Sequence, residues 1–272
     1  MKEKPYVKVA MYALNIIFAI IIIVPVIYCF NVSMMDLKEI YGGKFWPSHL
    51  TIENYTRAFQ LAPFFTFIKN SLIVSGVITA AQVITGALAA YAFAMMEFKG
   101  KKVLFYIMLA TMMIPPQVMI VSRFVIMQKM GLYNTHMGII LMTMFSLYGV
   151  FLLRQAMMGI PDSLCESAKI DGAGHLRIFF QIVFPLIKPS IATLAVLKFV
   201  WTWNDYQTPL IFLSNRMLFT IQLGMKLFAS ESGSIYSLTM AAAVSATLPL
   251  ILLFLCGQRY IIEGIASGAV KG

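Results

Sequence analysis

Runs of apolar residues alternate with short polar segments along the chain. Six of these runs approach or exceed the roughly 20 residues that an α-helix needs to cross a bilayer. They predict an all-α membrane protein with six transmembrane helices over residues 10–32, 70–95, 103–127, 137–158, 190–213 and 238–256. The first run is too long for a signal peptide, so we interpret it as a span. With 272 residues, the chain has room for one domain of this kind, residues 1–272.

The third predicted span contains Pro115 and Pro116 near its middle. Proline lacks an amide hydrogen, so this pair must interrupt the hydrogen-bond ladder of the helix. A broken helix at membrane depth is tolerated only where protein or a water-filled cavity receives the freed backbone groups. Two interpretations follow. Pro115 and Pro116 are either a hinge beside a transport pathway or a structural kink.

The composition also indicates a membrane protein. Hydrophobic residues make up 60% of the chain, charged residues only 12%, and the mean hydropathy is +0.82. Soluble domains contain about a quarter charged residues. The net charge is +10, but the basic residues are spread between the apolar runs. This distribution favours a role in membrane topology over nucleic-acid binding.

Lys and Arg divide unevenly between the two sides of the predicted membrane. With both termini in the cytoplasm, twelve of the 21 Lys and Arg residues lie in cytoplasmic segments or at the cytoplasmic ends of spans, eight lie in outer loops or at the outer ends of spans, and Lys198 lies deeper within a span. The twelve are Lys2, Lys4, Lys8, Lys99, Lys101, Lys102, Arg154, Lys169, Arg177, Lys188, Arg259 and Lys271. Because basic residues favour the cytoplasmic side, the count predicts an N-in/C-in topology, with a cytoplasmic loop between spans four and five.

This loop, residues 161–189, is a polar island between two apolar runs. Its pattern predicts a short helix over Pro161–Ile170, a turn at Gly172 and a second short helix from about His175 to Phe184. Pro185 is expected to close the second helix, because proline disfavours helical backbone before it. Two short helices around a glycine turn are typical of a rigid docking element.

The same loop resembles the EAA loop of ABC-importer permeases. The matching residues are Glu166, Ser167, Ala168, Asp171, Gly172, Ala173, Ile182 and Pro185, with Ser167 in place of the usual alanine. In that family the loop is the cytoplasmic coupling helix, which sits in a groove of the ATPase subunit. The resemblance implies an ATPase-coupling site at Glu166, Ser167, Ala168, Asp171, Gly172, Ala173, Arg177 and Pro185. The alternative is an amphipathic loop that lies on lipid headgroups.

Further stretches resemble carbohydrate permeases of the same superfamily. Residues 47–55 have the pattern P-x-x-L-T-x-x-N-Y, Lys69-Asn70-Ser71-Leu72 follows, and residues 258–272 resemble the terminus of maltose-type permeases. Together the motifs imply the second transmembrane subunit of a binding-protein-dependent importer in the bacterial cytoplasmic (inner) membrane. The implied partners are a second permease subunit, an ATPase dimer that binds ATP and Mg, an extracytoplasmic sugar-binding protein and the lipid bilayer.

What this resemblance implies is alternating access driven by ATP binding at the partner ATPase. The substrate is then a carbohydrate, and di- and oligosaccharides, sugar alcohols and glycerol phosphates all remain open. Either permease chain of such a pair is a candidate for contacting it.

No residue pattern indicates catalysis, so the chain is not predicted to be an enzyme. The phosphate-binding pattern G-x-x-x-x-G-K-[ST] does not occur, and no catalytic triad or carboxylate pair stands out. The cysteines and histidines are scattered, which predicts no metal site and no cofactor in this chain; they are Cys29, Cys165, Cys256, His49, His136 and His175.

Two other function classes compete with an ATP-driven importer. The first is an ion-coupled secondary transporter of a small polar solute, which usually needs carboxylates or histidines at membrane depth. The predicted spans are nearly free of such groups, since Asp205 lies near an outer end and Lys198 is a cation. The second is a channel or a sensory receptor, but nothing in the chain resembles a selectivity filter or an output domain.

The outer half of the fifth predicted span carries Trp203, Asn204, Asp205 and Tyr206. So many polar groups are not expected to face lipid. An indole stacks on a sugar ring, and amide and carboxylate groups bond its hydroxyls, so these four residues are candidates for the substrate path. The carbohydrate permeases that the chain resembles have a similar run at this place. The alternative is an interfacial aromatic belt with Asp205 paired to the partner chain.

The charge count predicts which loops an impermeant thiol reagent reaches. In a variant whose three native cysteines are replaced, a cysteine at Gly43 should react in intact cells and a cysteine at Gly100 should not. The measurement is the labelled fraction before and after permeabilisation. The reverse pattern would contradict the predicted orientation.

Overall fold

The computed structural model describes residues 5–231 and 235–269, which form helices, turns and loops without a β-strand. The helices are α1 (Pro5–Ser33), α2 (Leu37–Tyr41), α3 (Glu53–Leu61), α4 (Phe64–Met95), α5 (Lys101–Thr111), α6 (Ile120–Lys129), α7 (His136–Thr143), α8 (Leu147–Met157), α9 (Asp162–Ile170), α10 (His175–Ile178), α11 (Phe184–Leu186), α12 (Lys188–Trp203), α13 (Gln207–Phe212), α14 (Ile221–Glu231) and α15 (Tyr236–Ala269). Lys2, Lys4 and Lys271 of the charge count, and residues 270–272 of the tail, lie outside the described residues.

Three continuous helices of the described chain are long and apolar enough to cross a membrane, over Tyr6–Ser33, Phe64–Met95 and Tyr236–Arg259. Three bent helix pairs also qualify, which gives up to six spans if each pair is one span. The pairs are Lys101–Thr111 with Pro116–Lys129 (89°), His136–Thr143 with Leu147–Met157 (43°), and His175–Leu186 with Lys188–Trp203 (77°). The chain is therefore an all-helical membrane protein.

The described residues cluster into two compact units. One comprises the described parts of Met1–Phe65 and Gly224–Leu248, and the other those of Thr66–Leu223 and Pro249–Gly272.

In the first unit, the P-x-x-L-T-x-x-N-Y stretch holds the C-terminal end of α1. The buried Asn54 amide donates to the carbonyl oxygens of Ser33 and Met35, at 3.1 and 3.0 Å. The Tyr55 hydroxyl lies 2.7 Å from the Ser33 hydroxyl. The two Asn54 bonds satisfy carbonyl groups that have no partner within the helix.

In the second unit, the third predicted span is broken beside its prolines. Helix α5 ends at Thr111, and Pro116 opens a single turn of 3₁₀ helix over Pro116–Met119 that leads into α6. The sequence therefore predicted the break at its observed place.

Other interruptions were not predicted. The run 137–158 is divided by Met144–Ser146 into α7 and α8, and the run 190–213 is divided at residues 204–206 into α12 and α13. Residues 214–237, between the fifth and sixth predicted spans, contain α14, which buries Ile221, Leu223 and Phe228.

The loop before α7 leaves no room for a side chain at Gly138. The Gly138 amide donates to the Thr135 hydroxyl at 3.1 Å, and a Cβ on Gly138 would overlap the carbonyl oxygen of Leu132. Gly76, within α4, has no atom within 4 Å of the corresponding Cβ position.

Gly138→Ala should therefore lower stability, because the overlap involves backbone that must shift, at a cost of about 1–3 kcal/mol. Gly76→Ala is the matched control and should be neutral or stabilising, because alanine favours helix by up to about 1 kcal/mol. Thermal unfolding of the two purified variants in detergent measures the difference. Equal melting temperatures would show that the packing around Gly138 is described wrongly.

Candidate coupling and transport sites

Residues 161–189 form a two-helix element, as the sequence predicted, with two differences of detail. Helix α9 runs from Asp162 to Ile170, and the second helical stretch runs from His175 to Leu186, including one π-helical turn at Phe179–Val183. Pro185 does not end this stretch, contrary to the prediction. It lies near the end of the stretch, just after the π-helical turn, and the chain bends after Leu186 instead.

The turn between the two helices is a Schellman motif, which explains the DGA sequence. The Ala173 amide donates to the Ala168 carbonyl at 2.9 Å, and the Gly172 amide donates to the Lys169 carbonyl at 3.0 Å. Gly172 has φ +81°, in the left-handed region where a Cβ costs about 1–2 kcal/mol. Gly174 begins the second helix with an ordinary extended backbone, φ −73° and ψ 165°.

One face of the element is anchored to the core of the second unit. Cys165, Ile178, Phe179 and Val183 are buried in a cluster with residues of α4, α8 and α12. Tyr91 of α4 contacts the element twice. Its hydroxyl lies 3.2 Å from Nδ1 of His175, and its ring packs edge-on against Phe179 at 5.3 Å. Burial raises the pKa of the Cys165 thiol, so this side chain stays protonated and acts as a small apolar residue.

The other face of the element is exposed and partly apolar. Ile170, Leu176 and Phe180 are exposed over 86%, 70% and 61% of their surfaces. Most of the predicted coupling residues lie on the exposed surface as well, and they are Glu166, Ser167, Asp171, Gly172, Arg177 and Pro185. Ala168 and Ala173 are half-buried against the core cluster. Arg177 donates to Gln181 at 3.0 Å and makes no ion pair within the described chain.

A second candidate site forms where helices are interrupted. At the break between α7 and α8, the Gln82 amide donates to the Thr143 carbonyl, and the Thr85 hydroxyl lies 3.2 Å from the Met144 carbonyl. The Gln82 side chain of α4 thus satisfies a carbonyl beside the break, while the Thr85 hydroxyl also lies 2.7 Å from the Ala81 carbonyl of its own helix. This is the condition for irregular backbone at membrane depth.

The predicted path residues surround the break after α12, but they do not share one environment. Trp203 is buried and stacks on Phe199 at 5.7 Å, whereas Tyr206 is exposed. Asn204 donates to the Val200 carbonyl at 2.9 Å and accepts from the Gln222 amide at 3.1 Å. A carboxylate oxygen of Asp205 accepts from the Thr208 amide at 3.0 Å, at the start of α13. Asn204 and Asp205 therefore stabilise the helix ends on either side of the break.

A cavity of about 210 Å³ lies between these two breaks. Of the four path residues, Asp205 borders it, and so does Lys198, which the sequence singled out as the cation within a span. The lining residues are Val74, Ile78, Gln82, Ile139, Thr143, Lys198, Trp201, Thr202, Asp205, Pro209 and Thr220. Gln82, Trp201 and Thr220 were not predicted as path residues, because a single polar or aromatic residue in an apolar run does not indicate what it faces.

Of the two hinge candidates Pro115 and Pro116, only Pro116 borders a smaller cavity of about 50 Å³, which Gln117, Arg123 and Thr143 also line. Within the described residues, no group of three or more His, Cys, Asp or Glu side chains is arranged to hold a metal ion.

The fold defines a polytopic membrane protein with an anchored two-helix element, and comparison with known proteins identifies its family. Residues 82–266 match the family described as binding-protein-dependent transport system inner membrane component. The melibiose/raffinose/stachyose import permease protein MelC of Bacillus subtilis is 36% identical over 254 residues, which cover 90% of both chains. The arabinooligosaccharides transport system permease protein AraQ of Halalkalibacterium halodurans is 34% identical over 229 residues, or 84% of this chain and 82% of AraQ.

The trehalose/maltose transport system permease protein MalG of Thermococcus litoralis is 30% identical over 277 residues, which cover 100% of both chains. Among solved structures, one chain of a bacterial ABC transporter involved in the import of the acidic polysaccharide alginate has a TM-score of 0.83. It covers 96% of this chain and 98% of that chain at 24% identity, so the likeness shows a common fold.

The chain therefore belongs to the family of binding-protein-dependent transport system inner membrane components, the permease subunits of ABC importers. The prediction of an ABC-importer permease is confirmed, and the ion-coupled carrier is not supported. This family consists of transmembrane subunits, which agrees with the prediction that the chain is not itself an enzyme.

Proposed function

We propose that the chain is one of two membrane subunits of an ATP-driven importer that takes up a carbohydrate. Relatives over most of the chain are named as permeases for melibiose, raffinose and stachyose, for arabinooligosaccharides, and for trehalose and maltose. Their shared feature is a short neutral sugar. We infer the same substrate class here, ahead of sugar alcohols and glycerol phosphates.

The geometry of residues 161–189 is the observation that carries this proposal. An element that only rested on lipid headgroups would need an apolar face toward the bilayer, and its turn would be free to vary. Here the apolar residues of one face, including Phe179, pack in the protein core against Tyr91 and its neighbours. The opposite face still exposes Ile170, Leu176 and Phe180 beside charged residues. A rigid element with a second apolar surface fits docking into a groove of an ATPase.

In this proposal Gly172, Ala168 and Ala173 set the shape of the docking element, and Glu166, Ser167, Asp171 and Arg177 contact the ATPase. Pro185 lies in the stretch that leads into the bend before α12. ATP and Mg are bound by the ATPase dimer, and this chain needs no cofactor of its own.

The proposed topology has six spans in the bacterial cytoplasmic membrane, with both termini inside, and residues 1–272 form one permease domain. A solute-binding protein delivers the sugar from outside. One relative in fold was solved as an alginate ABC transporter in complex with an alginate pentasaccharide-bound periplasmic protein; its TM-score is 0.70 at 18% identity.

The sugar path is proposed to run past Asp205 and the neighbouring break after α12. Trp203 is buried beside this break, Asn204 bonds the Val200 carbonyl at the end of α12, and Tyr206 is exposed. Pro115 and Pro116 are proposed to serve as the hinge of the third span, since a break with an 89° bend separates its two halves.

Two glycines of the docking element provide a matched test of coupling. Gly172 and Gly174 are both exposed, and neither has an atom within 4 Å of the position of an added Cβ. Only Gly172 has a positive φ, so Gly172→Val should distort the turn by strain alone. We expect Gly172→Val to abolish uptake and weaken ATPase association, and Gly174→Val to retain most of both.

The measurement is uptake of labelled melibiose, trehalose and maltose by vesicles that contain the complete importer and its binding protein. Co-purification of the ATPase is measured on the same material, and membrane expression is the control. Normal uptake by Gly172→Val would contradict the coupling assignment. A wild-type importer that takes up none of these or other neutral sugars would contradict the substrate class.

A further inference from the structure

A basic cavity lies where the end of α4, the start of α5 and the end of α8 meet, within the second unit. Its volume is about 710 Å³. Its charged lining residues are Lys101, Lys102, Arg154 and Glu97. Three cations against one carboxylate leave an excess of positive charge, so the cavity favours an anionic occupant.

Only one of the three cations is neutralised by a neighbouring carboxylate. Nζ of Lys101 lies 3.0 Å from Oε1 of Glu97. Neither Lys102 nor Arg154 makes an ion pair within the residues that the structure describes. Two positive charges therefore border the cavity without a counter-ion from the described chain.

The guanidinium group of Arg154 is held in place by its neighbours. Its Nε donates to the Phe93 carbonyl at 3.1 Å, and its Cζ lies 4.1 Å from the ring centre of the buried Phe105. The two Nη atoms make no hydrogen bond within the described chain, and they remain accessible to solvent. A planar guanidinium group with such N–H donors matches two oxygens of one phosphate group.

The position of the cavity selects the source of the phosphate. Helix α4 is a continuous candidate span that ends at Met95, and α5 begins at Lys101, so the cavity lies at the end of a membrane span, at the level of the lipid headgroups. Exposed apolar side chains of Phe98, Val103 and Tyr106 also line it, and they offer a surface for acyl chains. Basic pockets between membrane helices bind anionic headgroups in this way.

We propose that the basic cavity binds the phosphate headgroup of one anionic phospholipid, of the phosphatidylglycerol type, through Arg154 and Lys102. The Arg154 guanidinium group donates to the phosphate oxygens, and Lys102 supplies the second positive charge. The acyl chains of the lipid lie against Val103 and Tyr106.

A zwitterionic lipid fits this cavity less well. Its choline or ethanolamine cation would meet the excess positive charge, and the carboxylate of Glu97 is already paired with Lys101. The inference goes beyond the proposed function, since it depends on the membrane position of the helices and not on the transported substrate.

Lys102 and Lys99 provide a matched pair of variants. Both are exposed, and neither makes an ion pair within the described chain, but only Lys102 lines the cavity. If lipid binding depended only on the overall charge of this region, Lys102→Gln and Lys99→Gln would have equal effects. Arg154→Gln is less informative, because it also breaks the contacts with Phe93 and Phe105.

The reporter is the photoreactive residue p-benzoylphenylalanine in place of Tyr106, which cross-links the lipid beside it under ultraviolet light. The complete importer is placed in vesicles of equal parts dioleoylphosphatidylglycerol and dioleoylphosphatidylcholine, and mass spectrometry measures the ratio of the two lipid adducts. We expect phosphatidylglycerol adducts to predominate by about tenfold or more. Lys102→Gln should lower this ratio about fivefold, and Lys99→Gln by less than about twofold.

A ratio near one in the importer that carries only the reporter, or equal losses in the two lysine variants, would overturn the proposal. Excess inorganic phosphate, added at constant ionic strength, separates the two sources of phosphate. A ratio that persists supports a lipid site, whereas a ratio that falls to one would show a site for a soluble anion and contradict the proposal.

Discussion

Backbone groups freed at helix ends and helix breaks must find partners within the protein, because a bilayer offers none. This constraint accounts for several of the polar side chains that the described chain buries. Asn54 bonds the carbonyls at the end of α1, Asn70 bonds those of Met217 and Phe219, and Gln82 bonds that of Thr143. The Ser71 hydroxyl accepts from the Ile221 amide at 2.7 Å, at the first residue of α14. Asn54 and Asn70 lie in the sequence patterns that resemble carbohydrate permeases. These patterns therefore have a structural explanation, because these two side chains bond carbonyls that are not paired within a helix.

Helix α12 connects the docking element to the cavity beside Asp205. Helix α12 begins at Lys188, directly after the bend that ends the docking element, and it carries Lys198 before it ends at the break beside Asp205. Its 16 residues span about 24 Å, at roughly 1.5 Å per residue. A displacement of the anchored element would be transmitted along this helix to the residues that border the cavity. The contact between Tyr91 and Phe179 anchors the element to the core. Without such anchoring, the element would move by itself and α12 would stay in place.

Elements with strong local signals were predicted correctly from the sequence. Pro115 and Pro116 predicted the break in the third span, and Gly172 predicted the turn of the docking element, because proline and glycine determine backbone geometry at their own positions. The break at Met144–Ser146 could not be predicted. No proline or glycine lies within it, and its carbonyls are held by Gln82 and Thr85, about sixty positions earlier in the chain. Helix α14 was missed because polar residues flank an apolar face of only a few positions. Likewise, Gln82 and Thr220 are ordinary residues in the sequence, and only the fold places them at one cavity with Lys198.

The central claim is that the exposed apolar face of residues 161–189 is covered by the ATPase. Its most direct test is the rate of thiol labelling at Leu176→Cys, in a background without native cysteines, for the permease pair alone and with the ATPase bound. Lys102→Cys serves as the control, because Lys102 is exposed and is predicted to lie on the same side of the membrane. The account predicts that bound ATPase slows labelling at Leu176→Cys at least severalfold and leaves Lys102→Cys unchanged. Equal labelling rates at Leu176→Cys with and without co-purifying ATPase would contradict it.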